Sequence, residues 1–175
     1  KKDGFDCIFT LGGDGTQKSA RDFSLKGINV IGVPKTIDND VACTDITFGY
    51  NTAVSVATEA LDRLHTTAET HNRIMVLEVM GRYAGWITLE SAIAGGADVA
   101  LLPEIPYDID KVVEKIQARQ KAGKNFSVVV VSEGAFPKGG SISVKDTREG
   151  GKGVINIQLG GAGDIVAKEL ERRTG

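Results

Sequence analysis

The sequence predicts an α/β fold with open parallel sheets flanked by helices, of the Rossmann-like kind. Short, continuous apolar runs alternate along the chain with stretches whose apolar residues recur at helical spacing. Continuous apolar runs are typical of strands that are buried on both faces, as in parallel sheets. Glycine is frequent, with 22 of 175 residues, whereas aromatic residues make up only 6%. This composition favours close packing of helices on sheets.

Strands are expected where an apolar run stops at a glycine, a proline or a polar residue. The predicted strands are 7–11, 29–33, 74–77, 98–102 and 127–132. Helices are predicted from apolar residues three and four apart and from capping residues such as Asn51. The predicted helices are 16–26, 51–64, 83–94, 109–122 and 164–172. Residues 136–153 are rich in glycine and lysine and show no periodicity, which predicts a mobile loop.

Composition excludes several classes of protein. The net charge is −2 and charged residues make up 25%, so no nucleic-acid partner is expected. Two cysteines, Cys7 and Cys43, form no disulfide framework, and a reducing, cytoplasmic location is expected. The sequence has no uncharged apolar window of 18 residues, so no membrane partner is expected.

A glycine-rich turn, 12–16 (GGDGT), directly follows the first predicted strand and opens a helix. In that position Gly13, Gly15 and Thr16 could cradle a phosphate with backbone N–H groups. Asp14 would repel a bare phosphate, which suggests a Mg²⁺ ion between them. A plain β-turn is the alternative reading of these residues.

A second polar segment, 34–40 (PKTIDND), directly follows the next predicted strand. In extended backbone Asp38 and Asp40 would point the same way, so both carboxylates and Thr36 could face one pocket. Like charges this close repel each other unless a metal or a cationic complex lies between them. The alternative is a solvated acidic turn.

The second half of the chain offers groups that could bind the acceptor of a phosphoryl group. Arg82 and Glu133 each follow a predicted strand, and a guanidinium matches phosphate oxygens bidentately. Phosphoryl transfer would then use Asp38 as the base for a hydroxyl, Thr36 as a donor to the moving phosphoryl group and Glu133 to bind sugar hydroxyls. A plain surface arginine is the alternative for Arg82. Gly49 is the expected boundary between two lobes, with the active site in the cleft between them.

Four motifs occur together in order: 12–16 (GGDGT), 34–40 (PKTIDND), 80–82 (MGR) and 93–96 (IAGG). Together they resemble the 6-phosphofructokinase family, over essentially the whole chain. The resemblance implies that 1–49 is part of the phosphoryl-donor (ATP) lobe and that 50–175 is most of the sugar-phosphate lobe. It also implies that both termini of the family fold lie outside this chain, and that the chain alone is inactive.

The resemblance implies a kinase that uses MgATP and fructose 6-phosphate, with Asp38 as the base for the sugar 1-hydroxyl. The implied catalytic residues are Asp38, Thr36, Asp40 and Lys35. The implied nucleotide- or phosphate-binding residues are Gly13, Asp14, Gly15 and Thr16, with Asp14 also at the Mg²⁺ site. The implied sugar-phosphate residues are Thr36, Ile37, Asp38, Arg73, Met80, Gly81, Arg82 and Glu133.

Within this resemblance, the position of Gly15 separates ATP users, which have glycine, from pyrophosphate users, which have aspartate. Gly15 therefore favours ATP, whereas Lys35 is similar to the lysine of pyrophosphate users, so pyrophosphate remains the alternative donor. Arg73 resembles the arginine that family members extend into a neighbouring subunit's site. This implies a homo-oligomer, a dimer or tetramer, with shared active sites.

Two further positions bear on regulation and on rival functions. His65 stands where allosteric relatives place an effector-binding arginine, with Asp98 nearby, so control by ADP or phosphoenolpyruvate is not expected. NAD kinases and diacylglycerol-type lipid kinases share the GGDGT turn but lack the other motifs. A non-catalytic sugar-phosphate-binding subunit would not need Asp38 and Asp14.

Overall fold

The computed structural model describes residues 4–150 and 154–175 of the chain. Strands and helices alternate through most of this part, as the sequence predicts. The strands are β1 (Ile8–Gly12), β2 (Val30–Thr36), β3 (Phe48–Gly49), β4 (Ile74–Val79), β5 (Val99–Leu101), β6 (Ser127–Ser132), β7 (Val144–Gly150) and β8 (Val154–Leu159). The helices are α1 (Asp14–Leu25), α2 (Tyr50–His71), α3 (Trp86–Ala94), α4 (Ile109–Lys121) and α5 (Ala162–Thr174).

The described residues form two compact units, one up to Ala53 and one from Val54 onwards. The boundary falls in the first turn of α2, a few residues after the predicted boundary at Gly49. We call the part up to Ala53 the amino-terminal unit and the part from Val54 the carboxyl-terminal unit. The assignment of these units to the donor and the sugar phosphate stays a prediction.

The amino-terminal unit contains a parallel sheet in the order β1-β2-β3. The pairing of β1 with β2 runs from Ile8 opposite Val30 to Gly12 opposite Pro34. Helix α1 follows β1 directly and buries Ala20. Strand β1 ends at Gly12, opposite Pro34, and β2 continues to Thr36. Because both strands run the same way, the turn after β1 and the residues after β2 start at the same end of the sheet.

The carboxyl-terminal unit is built on a parallel sheet in the order β4-β6-β5, with β6 at its centre. All six residues of β6 are buried, because helices cover both faces of the sheet. Successive side chains of a strand point to opposite faces. Accordingly, Val129 and Val131 pack with Ile116 of α4, whereas Val128 and Val130 pack with Leu61 of α2. The α/β class with parallel sheets is therefore confirmed.

The prediction of a mobile loop over 136–153 is wrong for part of that range. Strands β7 and β8 form an antiparallel hairpin in which Val144 lies opposite Leu159 and Gly150 opposite Val154. The sequence of β7, VKDTREG, is mostly polar, so it carries no apolar alternation that would indicate a strand. Residues 151–153 of the predicted loop lie outside the described residues.

Two helix boundaries also differ from the predictions. Helix α2 begins at Tyr50, so Asn51 lies within its first turn and is not the cap, and the helix runs beyond 64 to His71. The extension buries Ala68 in the same cluster as Leu61, so tertiary packing outweighs its threonine-rich, weakly helical sequence. Helix α3 begins at Trp86 rather than at 83, because a turn bonded from Ala84 N–H to the Gly81 carbonyl (2.8 Å) precedes it.

No helix in the described ranges is both long enough and apolar enough to span a bilayer.

We predict that truncation of Ile116, which is fully buried between α4 and β6, destabilises the carboxyl-terminal unit in proportion to the volume removed. In the full-length protein, Ile116→Ala should lower the free energy of unfolding by about 2–5 kcal/mol and Ile116→Val by about 0.5–1.5 kcal/mol. Urea denaturation followed by circular dichroism measures both. Equal effects of the two substitutions would show that Ile116 does not fill a packed core.

Candidate active site

The glycine-rich turn connects β1 to α1 in the amino-terminal unit. Gly13 has an extended backbone and lies directly before the first residue of α1. No side chain caps the helix there. The first N–H groups of a helix have no partner within it, and they attract anions. Thr16 lies directly over Gly12, because a Cβ at Gly12 would fall 2.3 Å from Thr16 Oγ1. The turn can therefore cradle a phosphate, and we call residues 12–16 the phosphate turn.

The glycines of this turn have different surroundings. A Cβ at Gly13 would lie 3.2 Å from the Cβ of Thr36, so Gly13 packs closely against the end of β2. A Cβ at Gly15 would have no heavy atom within 4 Å. Gly13 thus brings the phosphate turn against Thr36, whereas Gly15 borders open space that a ligand could occupy.

Two carboxylates share a cationic neighbour beside the turn. Lys18 Nζ donates to Asp14 Oδ2 over 2.5 Å, and this bond, helped by the nearby charge of Asp40, raises the pKa of Lys18. Lys18 is therefore the charge partner of Asp14 in this structure. A divalent cation bound by Asp14 would take the place of this lysine.

The segment after β2 is bent rather than extended. The Asp38 N–H donates to Thr36 Oγ1 over 3.3 Å, and the Thr47 N–H donates to Asn39 Oδ1 over 3.0 Å. Asn39 has a φ of 54°, which asparagine tolerates better than most residues. The premise that 38–40 is extended backbone is therefore wrong, since the side-chain bonds of Thr36 and Asn39 favour a turn.

The other residues of the segment have distinct positions. Ile37 packs on Gly49, where a Cβ would meet its Cγ2 at 3.4 Å. Asp38 is half-buried, whereas Lys35 and Asp40 are exposed. The structure thus places Thr36 and Asp38 close to the phosphate turn within one unit, with Lys35 accessible beside them.

In the carboxyl-terminal unit, Arg82 and Glu133 lie side by side because β4 and β6 are neighbouring parallel strands. The Arg82 N–H donates to Glu133 Oε1 over 2.9 Å, and Glu133 is 8% exposed. A Cβ at Gly134 would fall 2.0 Å from the Arg82 carbonyl oxygen, so only glycine allows this approach. Gly81 and Arg82 both have positive φ angles, of 138° and 50°.

A cavity of about 310 Å³ lies at this end of the sheet, and its lining includes Met80 and Glu133 together with Glu78 and Lys145. Glu78 accepts bonds from the N–H groups of Gly161 (3.0 Å) and Gly163 at the start of α5. Sequence reasoning missed Glu78 and Lys145 as site residues. A carboxylate that interrupts an apolar strand was a usable signal for Glu78, whereas Lys145 lay in the predicted loop.

Within one chain, Arg73 lies apart from Arg82 and Glu133. It precedes the first residue of β4, whereas Met80 follows the last. The six residues of the strand separate the two positions by roughly 20 Å. Arg73 and Arg82 therefore lie at opposite ends of β4.

The two positions considered for effector binding are engaged within the carboxyl-terminal unit. His65 Nε2 lies 2.9 Å from the Gly95 carbonyl oxygen. The Asp98 carboxylate pairs with Arg119 at 2.8 Å and accepts the Val128 N–H at 2.9 Å. The absence of effector control stays a prediction, and these contacts support it.

Comparison with known proteins identifies relatives over nearly the whole chain. The family model described as phosphofructokinase matches residues 1–175. The chain is 63% identical to ATP-dependent 6-phosphofructokinase 2 of Clostridium perfringens, over 98% of this chain and 46% of that protein. It is 52% identical to ATP-dependent 6-phosphofructokinase 3 of Streptomyces coelicolor, over 98% of this chain and 50% of that protein. The chain thus spans about half the length of the curated relatives it matches.

Solved structures of the same family resemble the fold. Phosphofructokinase from Saccharomyces cerevisiae matches with a TM-score of 0.70 and 30% identity, over 79% of this chain and 22% of that one. A pyrophosphate-dependent phosphofructokinase from Nitrosospira multiformis matches with a TM-score of 0.71 and 29% identity, over 78% of this chain and 38% of that one. The family predicted from the four motifs is confirmed, and the chain belongs to the phosphofructokinase family.

Proposed function

We propose that the protein containing this chain transfers a phosphoryl group from MgATP to the 1-hydroxyl of fructose 6-phosphate, giving fructose 1,6-bisphosphate. The observation that carries the proposal is the close packing of Gly13 on Thr36, which sets the phosphate turn beside the segment that bears Asp38. The names of the relatives from Clostridium perfringens and Streptomyces coelicolor support the same reaction.

On the donor side, the N–H groups around Gly13, Gly15 and Thr16 would bind phosphate oxygens, and Asp14 would hold Mg²⁺, directly or through water. Mg²⁺ would replace Lys18, which pairs with Asp14 in this structure, and the 50% exposure of the Asp14 side chain leaves room for that exchange. The described ranges contain no group of three acidic, histidine or cysteine side chains suited to a metal. Kinases hold Mg²⁺ by one or two carboxylates together with the substrate phosphates, and Asp14 would supply such a carboxylate. When bound, Mg²⁺ neutralises charge on the phosphates.

On the acceptor side, the Asp38 carboxylate takes the proton of the sugar 1-hydroxyl. As the proton moves, the hydroxyl oxygen attacks the γ-phosphorus of ATP, and ADP leaves. Thr36 donates a hydrogen bond to the phosphoryl group in transit, while Lys35 and Asp40 shape the charge around it. The sugar phosphate is bound by main-chain and side-chain groups of Ile37, Met80, Gly81, Arg82 and Glu133.

We favour ATP over pyrophosphate because the space beside Gly15 is open, so an α-phosphate has room there. An aspartate at this position would put a negative charge in that space. Two features speak for pyrophosphate: the exposed Lys35 and the structural likeness to a pyrophosphate-dependent relative.

We further propose a cytoplasmic homo-oligomer, a dimer or tetramer, in which Arg73 completes the active site of a neighbouring subunit. The position of Arg73 at the far end of β4 from Arg82 supports this arrangement, because it keeps Arg73 away from the acceptor residues of its own chain.

For the base, we predict that Asp38→Ser in the full-length protein lowers turnover by about 10²–10⁴-fold, the usual contribution of general base catalysis. The affinity for fructose 6-phosphate should stay unchanged, because Arg82 and Glu133 are retained. Steady-state kinetics and calorimetric titration of the sugar phosphate measure the two effects. Asp22→Ser, at an exposed position of α1, is the matched control. Turnover that survives Asp38→Ser would remove Asp38 from the role of base.

For the donor, we predict that Gly15→Asp lowers ATP-dependent turnover by about 100-fold or more, because like charges placed together cost several kcal/mol. The fold should be retained, since a side chain at Gly15 meets no protein atom. Gly15→Ala is the control for size without charge. Assays with ATP and with pyrophosphate measure donor use, and full ATP activity of Gly15→Asp would contradict the assignment.

For the shared site, we predict that mixing the inactive variants Arg73→Ser and Asp38→Ser restores activity after subunit exchange. A dimer with random exchange should regain up to about a quarter of wild-type activity, because half of the mixed dimers' sites are intact. The control mixture of Thr36→Ala with Asp38→Ser should regain none, since both residues belong to the same half of the site. Absence of recovery in the first mixture would place Arg73 outside the neighbour's site.

A further inference from the structure

The side-chain amide of Gln17 joins the ends of two strands at the candidate site. Its Nε2 donates to the Gly12 carbonyl and to the Val33 carbonyl, each over 2.9 Å. Gly12 ends β1 just before the phosphate turn, and Val33 belongs to the part of β2 that leads to Thr36. One amide group therefore connects the backbone of the donor-binding turn to the backbone that leads to Asp38.

These two bonds lie at the last rung of the β1–β2 pairing. Gly12 stands opposite Pro34 there, and Val33 directly precedes Pro34 in β2. A glutamine amide carries two N–H donors, and the geometry uses both of them on strand carbonyls. Gln17 thus adds side-chain hydrogen bonds to both strand backbones at the last rung of the pairing.

Glycine makes the position of the amide possible. A Cβ at Gly32 would fall 2.1 Å from Gln17 Oε1, so any larger residue there would displace the amide. The bonds are partly shielded from water, which strengthens their hold on the two strands. The position of Gln17 is therefore set by hydrogen bonds on one side of the amide and by close packing on the other.

We propose that Gln17 is a positioning residue, which fixes the distance between the donor phosphate and the base Asp38 by holding the ends of β1 and β2 together. The inference rests on the proposed function, since it assigns Gln17 a role in aligning that reaction. In-line transfer needs the reacting atoms about 3–3.5 Å apart, and a displacement of about 1 Å can cost 10²-fold in rate. A small separation of the two strand ends would therefore matter more for turnover than for binding.

The test uses Gln17→Met in the full-length protein, because methionine keeps the length of the side chain but has no N–H donor. We expect the kcat for fructose 1,6-bisphosphate formation to fall about 10–100-fold, while the KM for fructose 6-phosphate stays within about twofold. We also expect more ATP to be consumed per sugar phosphorylated, since a misaligned phosphoryl group reaches water as well as the sugar. Gln117→Met, at an exposed position of α4, is the matched control.

A second variant separates positioning from stability. Gln17→Glu regains one O–H donor when its carboxyl is protonated, so its deficit in kcat should shrink as the pH falls, whereas that of Gln17→Met should not. A purely structural role would lower the melting temperature but leave the kcat per active site and the ATP-to-product ratio unchanged, and that result overturns the inference. A wild-type protein without fructose 6-phosphate kinase activity would instead refute the proposed function itself.

Discussion

The parallel pairing of β1 with β2, in register up to Gly12 and Pro34, is the constraint on which the candidate site depends. It places the ends of both strands at one edge of the sheet, where the phosphate turn and the Asp38 segment begin. Glycine at 12, 13 and 32 lets Thr16, Thr36 and Gln17 approach the backbone closely. Chemistry that needs a donor phosphate beside a base thus follows from strand register and from missing Cβ atoms.

The carboxyl-terminal unit uses the same construction a second time. Strands β4 and β6 are neighbours, and the residues that follow them, Arg82 and Glu133, are joined by a hydrogen bond. Strand β6 is held between helices on both faces, so the carboxylate of Glu133 starts from a rigid position. In both units a polar group lies at the carboxyl end of a strand, as expected for binding sites in open α/β sheets. The strand is fully buried only for β6, whereas β1 keeps large apolar side chains such as Phe9 and Leu11 exposed.

The sequence was most informative where burial is continuous. The valines of β6 and the turn after β1 could be placed because an apolar run and its end are local signals. The predicted end of the second strand at 33 is wrong, since β2 continues through Pro34 to Thr36, where Lys35 and Thr36 pair with β3. The hairpin of β7 and β8 was missed because the β7 residues are mostly polar and show no apolar alternation. The left-handed turn at Asn39 and the two hydrogen bonds of Gln17 were missed because each depends on side-chain contacts with backbone groups that no apolar pattern reveals.

The most direct measurement is a crystal structure of the full-length protein with fructose 1,6-bisphosphate and Mn²⁺, whose anomalous signal locates the ion. The account predicts the 1-phosphate of the sugar between the 12–16 turn and the Asp38 carboxylate, and Mn²⁺ beside Asp14, bound directly or through one water. A product phosphate away from this turn, or an ion with no connection to Asp14, would contradict the account.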